Sequence, residues 1–127
     1  MRGRSGLSLI CATGLLQGCQ LLNFQPRLCT MEGRPAVHVQ VADAQTGESL
    51  LVQSTIRVQD GAYVDSATPT DPAISAVNLA YERSGNYIVQ VDRAGYHPWK
   101  QENVRVRKGE CHVQTVKLEA KLRKLDR

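Results

Sequence analysis

The chain has 127 residues, 42% of them hydrophobic, 22% charged and 5% aromatic, with a formal net charge of +4 and four cysteines. These proportions exclude wholesale disorder, and the length suits one domain. No run approaches the roughly 20 apolar residues that a membrane-spanning helix needs.

Arg2 and Arg4 precede an uncharged apolar run, LSLICATGLL over residues 7–16. A basic start followed by a short apolar stretch reads as a secretory signal peptide, too short to span a bilayer. The next residues, Leu16-Gln17-Gly18-Cys19, resemble the lipobox of bacterial lipoproteins. Gln17 stands where that family usually has a small residue. The resemblance implies that residues 1–18 are removed and that Cys19 becomes the lipidation site, carrying diacylglycerol on its thiol and an acyl chain such as palmitate on its amine. Residues 19–34 would then be a lipidated N-terminus and linker. Cleavage elsewhere, with Cys19 an ordinary thiol, is the alternative. Several acyl chains on one residue suffice for stable anchoring. The mature chain would have 109 residues, with 14 basic against 12 acidic side chains. A net charge of +2 is too low for a nucleic-acid binder. Gln20 replaces the aspartate that favours inner-membrane retention in proteobacterial lipoproteins, so the resemblance implies the outer membrane, with the domain in the periplasm.

With Cys11 removed in the signal and Cys19 lipidated, as the resemblance implies, Cys29 and Cys111 remain. An even pair in an exported chain is most simply a disulfide, with a redox pair or metal ligands as alternatives. Neither cysteine lies in a CxxC.

From Pro35 the hydrophobic period is two. Val37, Val39 and Val41 share one parity, and Asp43-Ala44-Gln45-Thr46-Gly47-Glu48 supplies a turn. Residues 50–58 form a second strand with Val52, Ile56 and Val58 aligned, ended by Asp60-Gly61. Residues 68–72 (TPTDP) are a loop, residues 77–81 alternate again, and Ser84-Gly85-Asn86 turns the chain. Tyr87, Val89 and Val91 face one way, Ala94-Gly95 turns, and residues 104–107 alternate up to Lys108-Gly109-Glu110. A last strand starts at Cys111 and carries Val116, Leu118, Ala120 and Leu122; Val113 has the wrong parity, which predicts a bulge near Thr115. Residues beyond it extend as strand or fray into a short basic helix. About 6–7 short strands predict an all-β, two-sheet sandwich.

Residues 39–47 (VQVADAQTG), residues 81–87 (YERSGNY) and Arg93-Ala94-Gly95-Tyr96 resemble the carboxypeptidase regulatory-like domain. This is a transthyretin-like (prealbumin-like) Greek-key β-sandwich. The match covers residues 35–122 and leaves 123–127 as a basic C-terminal tail. Gly47 and Gly85 suit turn positions that need φ > 0. The pair Cys29 and Cys111 is similar to that of a lipoprotein subset of these domains. In metallocarboxypeptidases the domain carries no catalytic residues, and 109 residues leave no room for the zinc-binding catalytic domain. Hydroxyisourate hydrolases share the fold but end in Tyr-Arg-Gly-Ser, whereas this sequence ends Lys-Leu-Asp-Arg.

Candidate chemistry is sparse. His38, His97 and His112 form neither HxxxH nor HxH, although His38 and His112 start the first and last strands and could meet across a sheet. Asp60, Asp65 and Asp71 fall in one loop region but fit no EF-hand spacing. No GxSxG, P-loop or GxGxxG is present. No metal, cofactor or catalytic residue is assigned.

Tyr96 and Trp99, in Tyr-His-Pro-Trp-Lys, form either a cap on the sandwich core or a ligand surface for glycan or peptide. The sequence therefore predicts a non-enzymatic lipoprotein held against the membrane. Its sandwich would serve as a structural or protein-interaction module, with an envelope protein or peptidoglycan as partner. Glycan or peptide binding at Tyr96 and Trp99 is the alternative. The linker between Cys19 and Cys29 lets the domain stand about 30 Å from the bilayer.

Overall fold

The valine alternation that begins at Val37 folds as β1 (Val37–Asp43), with Val37, Val39 and Val41 buried. The structure, a computed structural model, describes residues 28–126. The expected signal peptide, Cys11, the lipidation site Cys19 and Gln20 lie outside the described residues. Six more strands follow: β2 (Thr55–Asp60), β3 (Tyr63–Ala67), β4 (Val77–Leu79), β5 (Gly85–Asp92), β6 (Trp99–Val106) and β7 (Val116–Leu122). They form two sheets, ordered β4-β1-β7 and β3-β2-β5-β6. The fold is thus the expected all-β two-sheet sandwich. The inner faces meet in one core built from Val39, Val58, Tyr87, Val89, Val91, Ala120 and Leu122 among others.

The feature that periodicity alone does not reveal is the pairing of β1 with β7. They run parallel, in register from Val37↔Val116 to Asp43↔Leu122. Parallel strands start side by side, so the segments that precede them are neighbours. Val116 N–H donates to the Ala36 carbonyl at 2.9 Å, and Thr115 Oγ1 donates to the Pro35 carbonyl at 2.6 Å. One step further back, Cys29 and Cys111 are joined in a disulfide with Cα atoms 5.2 Å apart. The remaining neighbours are antiparallel.

Strand direction sorts the connections between two ends. The N-terminal pole holds residues 28–36, 61–62, 80–84 and 107–115. The distal pole, about 20 Å away along β1, holds residues 44–54, 68–76, 93–98 and 123–126.

Several expectations are corrected. The second strand starts at Thr55, not at residue 50. Leu50 and Leu51 are both buried in the segment before β2, where the chain turns through Gln53 at φ 67°. The Arg93 guanidinium holds that turn through the carbonyls of Leu50 and Val52. Tyr63 to Ala67 form a strand that the sequence reading overlooked, because its inward set Tyr63, Asp65, Ala67 is interrupted by a carboxylate. That carboxylate is used: Asp65 accepts the Ala80 N–H at 2.9 Å. Cys111 lies in a bend before β7, and Val113 belongs to a separate bridge with Lys108, which removes the parity conflict expected near Thr115. The irregularity falls instead in β6, opposite the step from Tyr87 to Val89, where Asn103 has φ 55°. Residues 123–125 pair with 95–97, so the basic end is fastened to the distal pole.

Gly47 has the expected positive φ of 74°, but Gly85 does not. Ala80 and Glu82 carry the left-handed conformations of that turn, at φ 57° and 55°. Gly85 instead leaves space: a Cβ there would crowd Asp60 Oδ2 and an Arg83 nitrogen, so their ion pair would have to shift. Arg83 in turn donates to Asp60 at 2.9 Å and lies over the Tyr63 ring at 4.1 Å. Beside them the Tyr87 hydroxyl donates to the Arg83 carbonyl at 2.6 Å, locking the turn onto β5.

Two outcomes follow from this packing. Cys29→Ser with Cys111→Ser should lower unfolding free energy by as much as about 4.5 kcal/mol, the loop-entropy value for this span, read from urea midpoints. Gly85→Ala should cost about 1–3 kcal/mol through overpacking, and clearly less in an Asp60→Ala background, because the obstructing oxygen is then gone.

Candidate functional site

The polar side chains of the described residues converge most densely at the N-terminal pole, around Glu82. The left-handed turn at Glu82 aims both its backbone and its carboxylate at the segment leading into β1. Glu82 N–H donates to the Arg34 carbonyl at 2.8 Å, and Arg34 N–H donates to Glu82 Oε1 at 2.7 Å. Val113 N–H approaches Oε2 at 3.4 Å, and His112 Nδ1 lies 2.6 Å from Oε1. On the other side of the imidazole, His112 Nε2 is 3.0 Å from Thr30 Oγ1. The Cys29–Cys111 disulfide adjoins both of these residues.

Hydroxyl, imidazole and carboxylate stand here in the order of a nucleophile relay. Their other contacts tie the N-terminal segment to the sheet. Glu82 also holds two backbone N–H groups, and Thr30 sits on the segment that the disulfide ties down. The arrangement is a clamp that closes the N-terminal segment over the starts of β1 and β7. Sequence reasoning singled out the two cysteines and His112 but missed Glu82 and Thr30, which lie 30 and 82 residues from His112.

Other expected site residues are dispersed. His38 pairs with Asn78 Oδ1 at 2.8 Å, and its strand neighbours are Asn78 and Lys117, so it does not meet His112. Asp60, Asp65 and Asp71 do not share a loop: Asp60 ends β2 on Arg83, Asp65 lies in β3, and Asp71 caps a turn through Ala73 N–H at 2.8 Å. Among the described residues no three His, Cys, Asp or Glu side chains gather around a point that could hold a metal ion.

Tyr96 and Trp99 both lie at the distal pole, half-buried and packed against the core. Trp99 pairs with Val91, whose side chain is fully buried, so the indole points inward. The Tyr96 hydroxyl donates to Asp43 Oδ2 at 3.0 Å. Asp43 also accepts the N–H groups of Gln45 and Thr46 on Oδ1, at 2.8 and 3.0 Å. Those two backbone bonds, that of Thr46 foremost, hold the Asp43 carboxyl below its ordinary value of 3.8, and the Tyr96 hydroxyl adds to them. The aspartate thus shapes its own turn and docks the aromatic cap. Near this pole a shallow cavity of about 220 Å³ lies against the three-stranded sheet, lined by Gln40, Ala42, Gly47, Ser49, Ser75 and Glu119. Val41 also lines it, so its walls are both polar and apolar, and neither Tyr96 nor Trp99 belongs to them.

The Glu82 carboxyl is held below the ordinary 4.5, first by the Arg34 N–H and further by His112 and the Val113 N–H, against an opposing effect of burial. A carboxyl depressed in the folded state adds stability above its unfolded value and loses it as pH falls through the folded one. The stability advantage of wild type over Glu82→Gln should therefore be full at about pH 7 and shrink steadily below about pH 4.5, read as the difference in urea midpoints. No protein-family model and no curated protein matches this chain.

Proposed function

We propose that this chain is a non-catalytic cell-envelope lipoprotein, anchored through Cys19, whose β-sandwich is a structural or protein-interaction module held close to the membrane. The observation that carries this reading is the Cys29–Cys111 disulfide, 82 residues apart in sequence. Such a bond belongs to an oxidising compartment, which accords with the apolar run at 7–16 and the lipobox-like Leu16-Gln17-Gly18-Cys19. The bond also lies at the pole where the tether enters, ten residues after Cys19. A pull on the tether would therefore be borne by a covalent link to the segment that leads into β7.

The side chains best suited to chemistry are occupied in holding the fold: His38 by Asn78, His112 by Glu82 and Thr30, Tyr96 by Asp43. Among the described residues every buried side-chain polar atom has a partner. That is the ordinary condition of a well-packed folded domain. The seven-stranded, two-sheet sandwich is compatible with the resemblance to the carboxypeptidase regulatory-like domain, whose role is likewise non-catalytic. The inward Trp99 and the bonded Tyr96 support core packing over stacking on a glycan or peptide.

Growth with an alkyne fatty acid should label wild type and place it in the membrane fraction, while Cys19→Ala should lose both. Retention of label and membrane association by Cys19→Ala would refute the anchor. Alkylation without reductant should leave Cys29 and Cys111 unmodified in the mature protein.

A further inference from the structure

We infer that the N-terminal pole is a membrane-contact surface, on which Leu28, Met31 and Tyr81 seat the domain against the bilayer; this rests on the anchor at Cys19. Leu28 and Met31 are the two most exposed large apolar side chains among the described residues, at 93% and 103%. Tyr81 follows at 56%, with its ring along the same segment, since a Cβ on Gly33 would lie 3.5 Å from Tyr81 Cδ1. The other exposed large apolar residues, Val64, Ile74 and Leu125, are covered to a greater extent and belong to different parts of the surface.

Two features identify the bilayer as the occupant. The first is reach. Nine residue steps separate Cys19 from Leu28, so the pole can stand no more than about 30 Å from the anchored residue. The distal pole lies a further strand length away. The second is rigidity. The segment that bears Leu28 and Met31 is held by the disulfide, by the Thr30–His112 contact and by the paired Arg34–Glu82 bonds. Its apolar side chains are thus presented from a fixed backbone. A tyrosine beside two aliphatic side chains suits the boundary between headgroups and acyl chains. Charges at this pole nearly balance, with Arg34, Arg83, Arg107 and Lys108 against Glu32, Glu82 and Glu110, and Asp60 at the adjoining end of β2 paired to Arg83. Contact is therefore driven by apolar burial and does not depend on anionic lipid.

The test uses the full lipidated protein in vesicles of phosphatidylethanolamine and phosphatidylglycerol with brominated acyl chains. Two single-tryptophan proteins are compared, both carrying Trp99→Phe: one with Met31→Trp at the pole, the other with Ile74→Trp in an exposed distal loop. The Met31→Trp protein should shift to the blue and lose most of its emission to bromine, in high salt and with neutral lipid alike. The Ile74→Trp protein should keep its emission. Fatty-acid labelling is read on the same samples. Labelled protein with an unquenched Met31→Trp tryptophan overturns the contact surface alone. Absence of label overturns the anchor, and the contact surface with it.

Discussion

The parallel pairing of the first strand with the last is the constraint on which the rest of the structure depends. Because β1 and β7 run in the same direction, whatever precedes one strand lies beside whatever precedes the other. Pro35 meets Thr115, Ala36 meets Val116, Thr30 meets His112 and Cys29 bonds to Cys111. An antiparallel register would have placed those segments about 20 Å apart, a strand length, beyond the reach of any of these contacts. The pairing is also the most distant in sequence that the fold makes. Closing so long a loop is entropically costly, and the covalent link at its mouth offsets part of that cost by restricting the unfolded chain.

The same constraint gives the molecule two unlike ends. The N-terminal pole is cross-linked, rich in hydrogen bonds and still exposes Leu28, Met31 and Tyr81. The distal pole is closed by self-bonded turns: Asp43 over Gln45 and Thr46, Arg93 over the carbonyls of Leu50 and Val52, and residues 95–97 against 123–125. Free sheet edges need protection from pairing with other chains. Here β4 has only three residues, β6 is kinked at Asn103, and β7 carries Lys117 and Lys121 on its solvent face. The sandwich is thus protected along three of its four edges while one end keeps apolar side chains in the open.

Much of the fold was legible in the residues because a half-buried strand has a period of two. Val37, Val39 and Val41 or Tyr87, Val89 and Val91 reveal their inward face without reference to anything distant, and each is buried. The reading failed where a residue answers to a remote partner. Asp65 breaks the pattern of β3 because it reaches the Ala80 N–H in the turn that follows β4 of the other sheet. Gly85 resembles a turn glycine, but its role is to leave room for Asp60 and Arg83. Glu82, the centre of the clamp, has no local signature, since its partners lie at Arg34, His112 and Val113.

The sequence by itself determined most of the strands, the turn at Asp43–Gly47 and most of the inward faces, since these are local consequences of side-chain alternation and turn chemistry. It also singled out Cys29 and Cys111 as a pair, because an even pair remains once the lipobox resemblance accounts for Cys11 and Cys19. Tertiary structure alone decided that the outer strands of the chain run parallel and that the disulfide and Glu82 share one pole. It also decided that Tyr96 and Trp99 turn toward the core at the other pole. Those outcomes depend on the relative direction of strands far apart in the chain, and the alternation within a strand is the same whichever way its neighbour runs.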